Sequence, residues 1–149
     1  MKVLLQRVQS ASVAVADEVV GQIGPGLLLL VCAEHDDDEV TSQRLIDKVT
    51  KLRIFSDDQG KMNRSVLDVG GDLLIVSQFT LVADTSKGNR PSYSGAAEPA
   101  IAKRLYDCLI EQARATGLVV QSGRFGADMK VSLINDGPVT IPLSMESSQ

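Results

Sequence analysis

Tryptophan is absent from this 149-residue chain, aromatic side chains make up only 3%, and histidine occurs once. The core must therefore be aliphatic, and any imidazole chemistry rests on His35 alone. Cysteine is as sparse: Cys32 lies in an apolar run and Cys108 on a predicted helix face, far apart in sequence. That spacing excludes a CxxC redox motif and a disulfide framework, and predicts two buried thiols in a reducing cytosol. One histidine and two distant cysteines cannot assemble the familiar zinc patterns, so neither metal nor cofactor is expected. The glycines form neither a P-loop nor a dinucleotide fingerprint. No apolar run approaches the roughly 20 residues that span a bilayer. The run at Met1–Arg7 is also too short for a signal peptide, so a cytoplasmic protein without a membrane partner is expected. A formal net charge of -4 and a pI near 4.9 exclude a broad basic face for gripping nucleic acid, and DNA is not an expected partner. Any RNA contact must use local cations: Lys87 and Arg90 in a glycine-bearing loop, with Arg7, Arg124 and Lys130 elsewhere. The plain alternative for each is solvated surface charge.

Hydrophobic content of 44% and charged content of 23% are ordinary for a globular protein. The length predicts one domain over 1–149, with a polar tail at 144–149. Residues 2 to 15 and 18 to 23 read as strands, and Gly24-Pro25-Gly26 turns the chain into an apolar run from Leu27 to Ala33. Leu45, Ile46, Val49 and Leu52 then follow helical spacing, with Asp36 to Asp38 near the amino end and Lys48, Lys51 and Arg53 near the other, as the helix dipole favours. Leu73 to Val76 reads as a strand apolar on both faces. Residues 85 to 96 form a loop longer than the usual connection of about 4 to 6 residues. Pro99 opens a second helix, whose expected buried stripe is Ile101, Leu105, Cys108, Leu109 and Gln112 and which Gly117 ends. Strands follow at Leu118 to Gln121, Met129 to Ile134 and Val139 to Leu143, the last two joined by a tight turn at Asp136-Gly137-Pro138. The fold class is thus α/β: one domain of mixed sheets with two main helices on one side, in the order β2-(βα)2-β3 and three α/β/β layers.

Two stretches carry the chemistry. Ser77-Gln78-Phe79-Thr80-Leu81 places hydroxyl, amide and aromatic groups where a buried strand runs out of sheet, and Asn135-Asp136-Gly137-Pro138-Val139-Thr140 makes a stiff corner. Hydroxyls at a strand end can also simply satisfy neighbouring backbone groups, and Gly-Pro punctuates turns by default. No base accompanies Ser77 or Thr80 in sequence, so neither is an activated nucleophile of the usual kind. Main-chain N–H groups can still hold a developing oxyanion. Such a site suits an already reactive ester better than an amide. The competing relay, with His35 as base for Ser77, would require a histidine that the flanking Glu34 and Asp36 mark as a solvated loop residue.

Those two stretches, with Lys61-Met62-Asn63, Lys87-Gly88-Asn89-Arg90-Pro91-Ser92-Tyr93 and Gly123-Arg124-Phe125-Gly126-Ala127-Asp128-Met129, resemble the D-aminoacyl-tRNA deacylase family from Met1 to Leu143. The resemblance implies a homodimer that hydrolyses the ester between a D-amino acid, or mischarged glycine, and the terminal adenosine of tRNA. It implies a catalytic end formed by Ser77, Gln78, Phe79 and Thr80, with Thr80 as nucleophile, orienting hydroxyl or neither. It further implies a cis Gly137-Pro138 bond that enters the partner's pocket and rejects L-amino acids, supported by Asn135, Val139, Thr140 and Arg7. Phe125, Gly126, Ala127 and Met129 would form the adenosine pocket; core packing is the alternative for Phe125 and Met129. Val82 and Tyr93 depart mildly from the family pattern, which expects an aromatic and a phenylalanine there.

Overall fold

The computed structural model describes residues 1–147. Strand β1 (Lys2–Val15) turns back through Ala16 and Asp17, both at positive φ, into β2 (Glu18–Ile23). A two-residue turn of this kind matches the twist of the flanking strands. β3 (Gly26–Cys32) then runs antiparallel to the first half of β1, pairing Lys2 with Cys32 through Val8 with Gly26. After α1 (Glu39–Lys51) and a small hairpin of β4 (Phe55–Ser56) and β5 (Met62–Arg64), the four-residue α2 (Val66–Val69) leads to β6 (Asp72–Ser77). β6 joins β3 in parallel, α3 (Pro99–Arg114) crosses over, and β7 (Val120–Ser122) joins β6 in parallel. β8 (Lys130–Ser144) returns along the other edge of β1.

Alternation along the central strands decides what covers each face. Leu27, Leu29, Val31, Leu73 and Ile75 point to one side, into a core closed by Leu45, Ile46 and Val49 of α1 and Leu105 and Leu109 of α3. Leu28, Leu74 and Val76 point to the other, where the curled end of β1 and β2 supplies Val13 and Ile23. Strands buried on both faces read as continuous apolar runs. Helices, central sheet and curled hairpin form the expected α/β/β layers.

Several details depart from the sequence reading. The Gly-Pro segment is not a hairpin turn: β8 is one strand, and both halves pair with β1, Thr140 opposite Gln6 and Asn135 opposite Val8. Asp136 to Val139 bulge out across from Arg7, and proline is tolerated where the ladder is interrupted. The strand expected at 118–121 begins at Val120 and ends at Ser122. The buried stripe of α3 is rotated: Tyr106, Ile110 and Ala113 are buried, whereas Ile101 is 41% exposed and Cys108 only half-buried. The physical reason is a polar seam with α1, where Gln112 donates to Glu39 O at 3.0 Å and Ser42 Oγ contacts Gln112. Of the expected polar tail, Ser144 belongs to β8, and Met145 accepts from the Met1 ammonium at 2.7 Å; residues 148 and 149 lie outside the described residues. No helix among the described residues is long and apolar enough to cross a membrane.

Candidate active site

Parallel strands deliver their carboxyl ends to one rim, and in open α/β sheets that rim is where ligands bind. Here β3 ends at Val31-Cys32 with Ala33 following, β6 ends at Val76-Ser77, and the segment after β7 carries Phe125 to Met129. Together with the start of α3 these segments enclose a mostly apolar cavity of about 720 Å³. Ser77, Gln78, Phe79, Phe125, Gly126, Ala127 and Met129 line it and Thr80 does not, so most of the expected reaction end and the expected nucleoside end meet in one space.

At the expected reaction end, Ser77 closes the β3–β6 ladder opposite Val31, and Gln78 N–H donates to Val31 O at 2.8 Å. The chain then tightens into a 3-10 turn over Phe79–Val82. The leading N–H groups of such a turn have no partner within it. Among the described residues those of Phe79 and Thr80 donate to no other group. The Gln78 side-chain amide donates to Thr80 Oγ1, so the hydroxyl oxygen is held as an acceptor. No carboxylate or imidazole hydrogen-bonds Ser77 or Thr80 among the described residues. Cys32 also lines the cavity, but burial pushes its thiol up to about 11, with Glu34 adding to the rise. A thiol in that state is a poor nucleophile.

Phe79 is 58% exposed at the cavity mouth, and its ring meets Tyr93 edge-on at 5.0 Å. The 85–96 loop that carries Tyr93 is pinned at several points. Asp84 and Ser92 exchange backbone bonds of 2.8 and 2.9 Å, and the His35 ring contacts Ser94 O at 2.6 Å through Nε2. His35 is therefore an exposed latch for this loop, and it does not line the cavity. Lys87 and Arg90 are exposed on the same loop, as are Arg124 and Lys130 after β7, the last beside Asp128 at 3.4 Å.

At the expected nucleoside end, Gly123 leaves room for the Met129 side chain, since a Cβ there would sit 2.6 Å from its Sδ. Phe125 packs at 5.9 Å against Tyr106, a cavity residue that the expected stripe of α3 omitted. Its signal was present, since Tyr106 lies one position after Leu105 on a helix that faces strand ends. Val31, Cys32 and Ala33 were likewise missed, although they end a run apolar on both faces.

The remaining expected residues lie elsewhere. Gly137, Pro138, Asn135, Val139, Thr140 and Arg7 form a second cluster that does not line the cavity of their own chain. The Gly137-Pro138 bond is cis and both residues are exposed. Gly137 has φ +146°, and a Cβ would meet Val139 N at 2.9 Å, so only glycine fits. Asn135 clasps the corner from within: its Oδ1 accepts from Val139 N at 2.8 Å and its Nδ2 donates to Val139 O at 3.1 Å. Arg7 clasps it from β1, with Nε donating to Asp136 O at 2.8 Å and a terminal nitrogen donating to Ile54 O at 2.7 Å. The same nitrogen lies 3.8 Å from Met62 Sδ, which brings the Lys61-Met62-Asn63 motif beside the corner.

A family model described as D-Tyr-tRNA(Tyr) deacylase matches residues 4–144. The D-aminoacyl-tRNA deacylase of Variovorax paradoxus (strain S110) is 59% identical over 145 residues, covering 97% of this chain and 99% of that protein. Its counterpart in Aromatoleum aromaticum (strain DSM 19018 / LMG 30748 / EbN1) is 62% identical over 143 residues, covering 96% and 94%. A solved structure titled "c-Myc DNA Unwinding Element Binding Protein" superposes with a TM-score of 0.91 at 39% identity, covering 97% of this chain and 98% of that one. A probable eukaryotic D-amino acid tRNA deacylase shares the fold, with a TM-score of 0.80 at 18% identity and coverage of 95% and 97%. With nearly its whole length matched at this level, the chain belongs to the D-Tyr-tRNA(Tyr) deacylase family.

Proposed function

We propose that this protein hydrolyses the ester of D-aminoacyl-tRNA, and of glycine mischarged on tRNA, as a homodimer in which Gly137-Pro138 of one protomer closes the cavity of the other. One observation carries the reading: the exposed corner is fastened by Arg7 and Asn135, yet it lies outside the cavity formed by its own chain. A rigid projection outside the pocket it is suited to close is supplied by a second copy. Ile134, 56% exposed on the same strand, supports burial against a partner.

In this arrangement the terminal adenosine lies between Phe125 and Met129, and the scissile carbonyl faces the N–H groups of Phe79 and Thr80. Water adds to the carbonyl carbon, aided by the neighbouring ribose hydroxyl. The two N–H groups hold the oxyanion, each donor worth about 2.7–4 kcal/mol. Collapse breaks the bond to the ribose oxygen, which takes a proton and leaves free amino acid and tRNA. The partner's corner carbonyls hold the substrate amino group, and the corner fills the place an L side chain requires. A D side chain points away, so the site rejects one hand without reading side-chain identity. Thr80 orients Gln78 rather than attacking, because nothing beside it takes its proton. The net charge of -4 weighs against a DNA-binding role like that named for one structural relative.

The test is to incubate the protein with D-Tyr-tRNA, L-Tyr-tRNA and Gly-tRNA. The expected result is loss of the first and third esters only; three intact esters would mean a binding module, and equal loss of D and L would refute the chiral wall. Mixing a Gly137→Ala protomer with a Phe125→Ala protomer should restore activity that neither homodimer has. No restoration would place corner and cavity in one chain.

A further inference from the structure

The cavity has two working ends on different strands, and one side chain ties those strands together. Tyr106, 5% exposed on α3, donates its hydroxyl proton to Ile75 O of β6 at 2.7 Å and lies 3.3 Å from Gly123 O just after β7. Ile75 O also accepts from Gly123 N at 3.0 Å, so the phenol caps the point where the Gly123–Met129 segment leaves the sheet. Its ring packs on Phe125 of that segment. From this geometry we infer that Tyr106 is a positioning residue, setting the place of the nucleoside-binding segment relative to Ser77–Thr80; the inference rests on the deacylase reading above.

The two strands do not depend on this bridge equally. β6 pairs with β3 from Asp72 through Ser77, whereas β7 is a three-residue strand that among the described residues pairs with β6 alone. Loss of the hydroxyl therefore lets β7 and the segment after it shift, while Ser77 and the turn at Phe79 stay with β3. Binding should suffer and the chemical step should not. Burial pushes the Tyr106 phenol up to about 12, so it remains a donor at neutral pH.

The experiment is steady-state deacylation of D-Tyr-tRNA by the full-length Tyr106→Phe protein beside wild type. KM should rise about three- to tenfold, the worth of one net hydrogen bond, with kcat within about twofold. Tyr106→Phe and Phe125→Leu should also be non-additive in KM, because they act through one contact. An unchanged KM, a fall in kcat at constant KM, or additive effects would overturn the assignment. A variant that does not fold would make Tyr106 a residue of the fold only, which overturns it as well. If wild type itself leaves D-Tyr-tRNA intact, it is the deacylase reading that fails.

Discussion

Replacing Arg7 by Leu tests whether handedness is read by a fastened corner. The substitution keeps an aliphatic stem against β1 and removes two hydrogen bonds, to Asp136 O at 2.8 Å and Ile54 O at 2.7 Å. Ile54 is 6% exposed and set in the core, so Arg7 ties the projecting corner to a fixed point. Each bond from a charged donor contributes about 1.5–3 kcal/mol, which places the fastening at roughly 3–6 kcal/mol as an upper bound. The contact from Arg7 to the Asp136 carboxylate, at 3.8 Å with Asp136 63% exposed, adds little. If only about 1.4 kcal/mol of the fastening holds the corner against an L side chain, the ratio of D- to L-Tyr-tRNA deacylation falls about tenfold. The assay measures both rates for wild type and Arg7→Leu, with thermal unfolding alongside. Arg44→Leu is the control, since Arg44 of α1 also donates to a carbonyl, Glu146 O at 2.9 Å, but touches none of the corner's contacts. A lowered melting temperature with an unchanged D/L ratio would show that Arg7 supports the fold and does not position the corner.

Thr80→Ala should slow deacylation no more than about tenfold, since the Gln78–Thr80 contact orients and no base activates the hydroxyl; a loss near a thousandfold, or a trapped acyl-enzyme, would make Thr80 the nucleophile. His35→Ala should leave the rate on saturating substrate unchanged while raising hydrogen exchange in residues 85–96, because its ring latches Ser94; abolished turnover would revive the histidine relay. Cys32 and Tyr106 both have folded-state pKa values raised, to about 11 and about 12, chiefly by burial. The folded state thus holds its protons more tightly than the unfolded state. Stability from these groups is fully present below about pH 9 and is lost as pH rises toward 12. Denaturant unfolding at stepped pH should show that decline, shallower above pH 10 in Tyr106→Phe; a flat profile would refute it.

The legible parts of the chain were those whose pattern is local. Leu73 to Val76 read as a strand apolar on both faces, and the run from Leu27 to Ala33 as apolar, because both faces of the central strands are covered. Ser77 marked the rim because polarity begins where the sheet stops. On α3 the expected Leu105 and Leu109 are buried, but the buried face also takes in Tyr106, Ile110 and Ala113, which the spacing omits. Helical spacing reports that a face is apolar, not which neighbour it meets, and here α1 takes the Gln112 side while strand ends take Tyr106. The Gly-Pro segment failed for a related reason. A turn and a bulge share the same residues, and only pairing with β1, some 130 positions away, tells them apart.

That same pairing suits the corner to the proposed role in a second chain. A hairpin turn at Gly137-Pro138 would lie at a sheet end and move with its loop. A bulge within β8 is flanked on both sides by ladder, Lys130 to Asn135 on one and Thr140 to Ser144 on the other, all against β1. The corner is therefore positioned by the most extensively paired strand in the fold. Adding Arg7 and Asn135 leaves Pro138 exposed but fixed. Handedness can be judged only by a wall whose position does not yield to the side chain pressing on it. Breaking the ladder beside the bulge should thus erode D/L discrimination before it erodes the rate on the D ester. The reverse order would mean that the corner holds the substrate amino group but does not act as the gate.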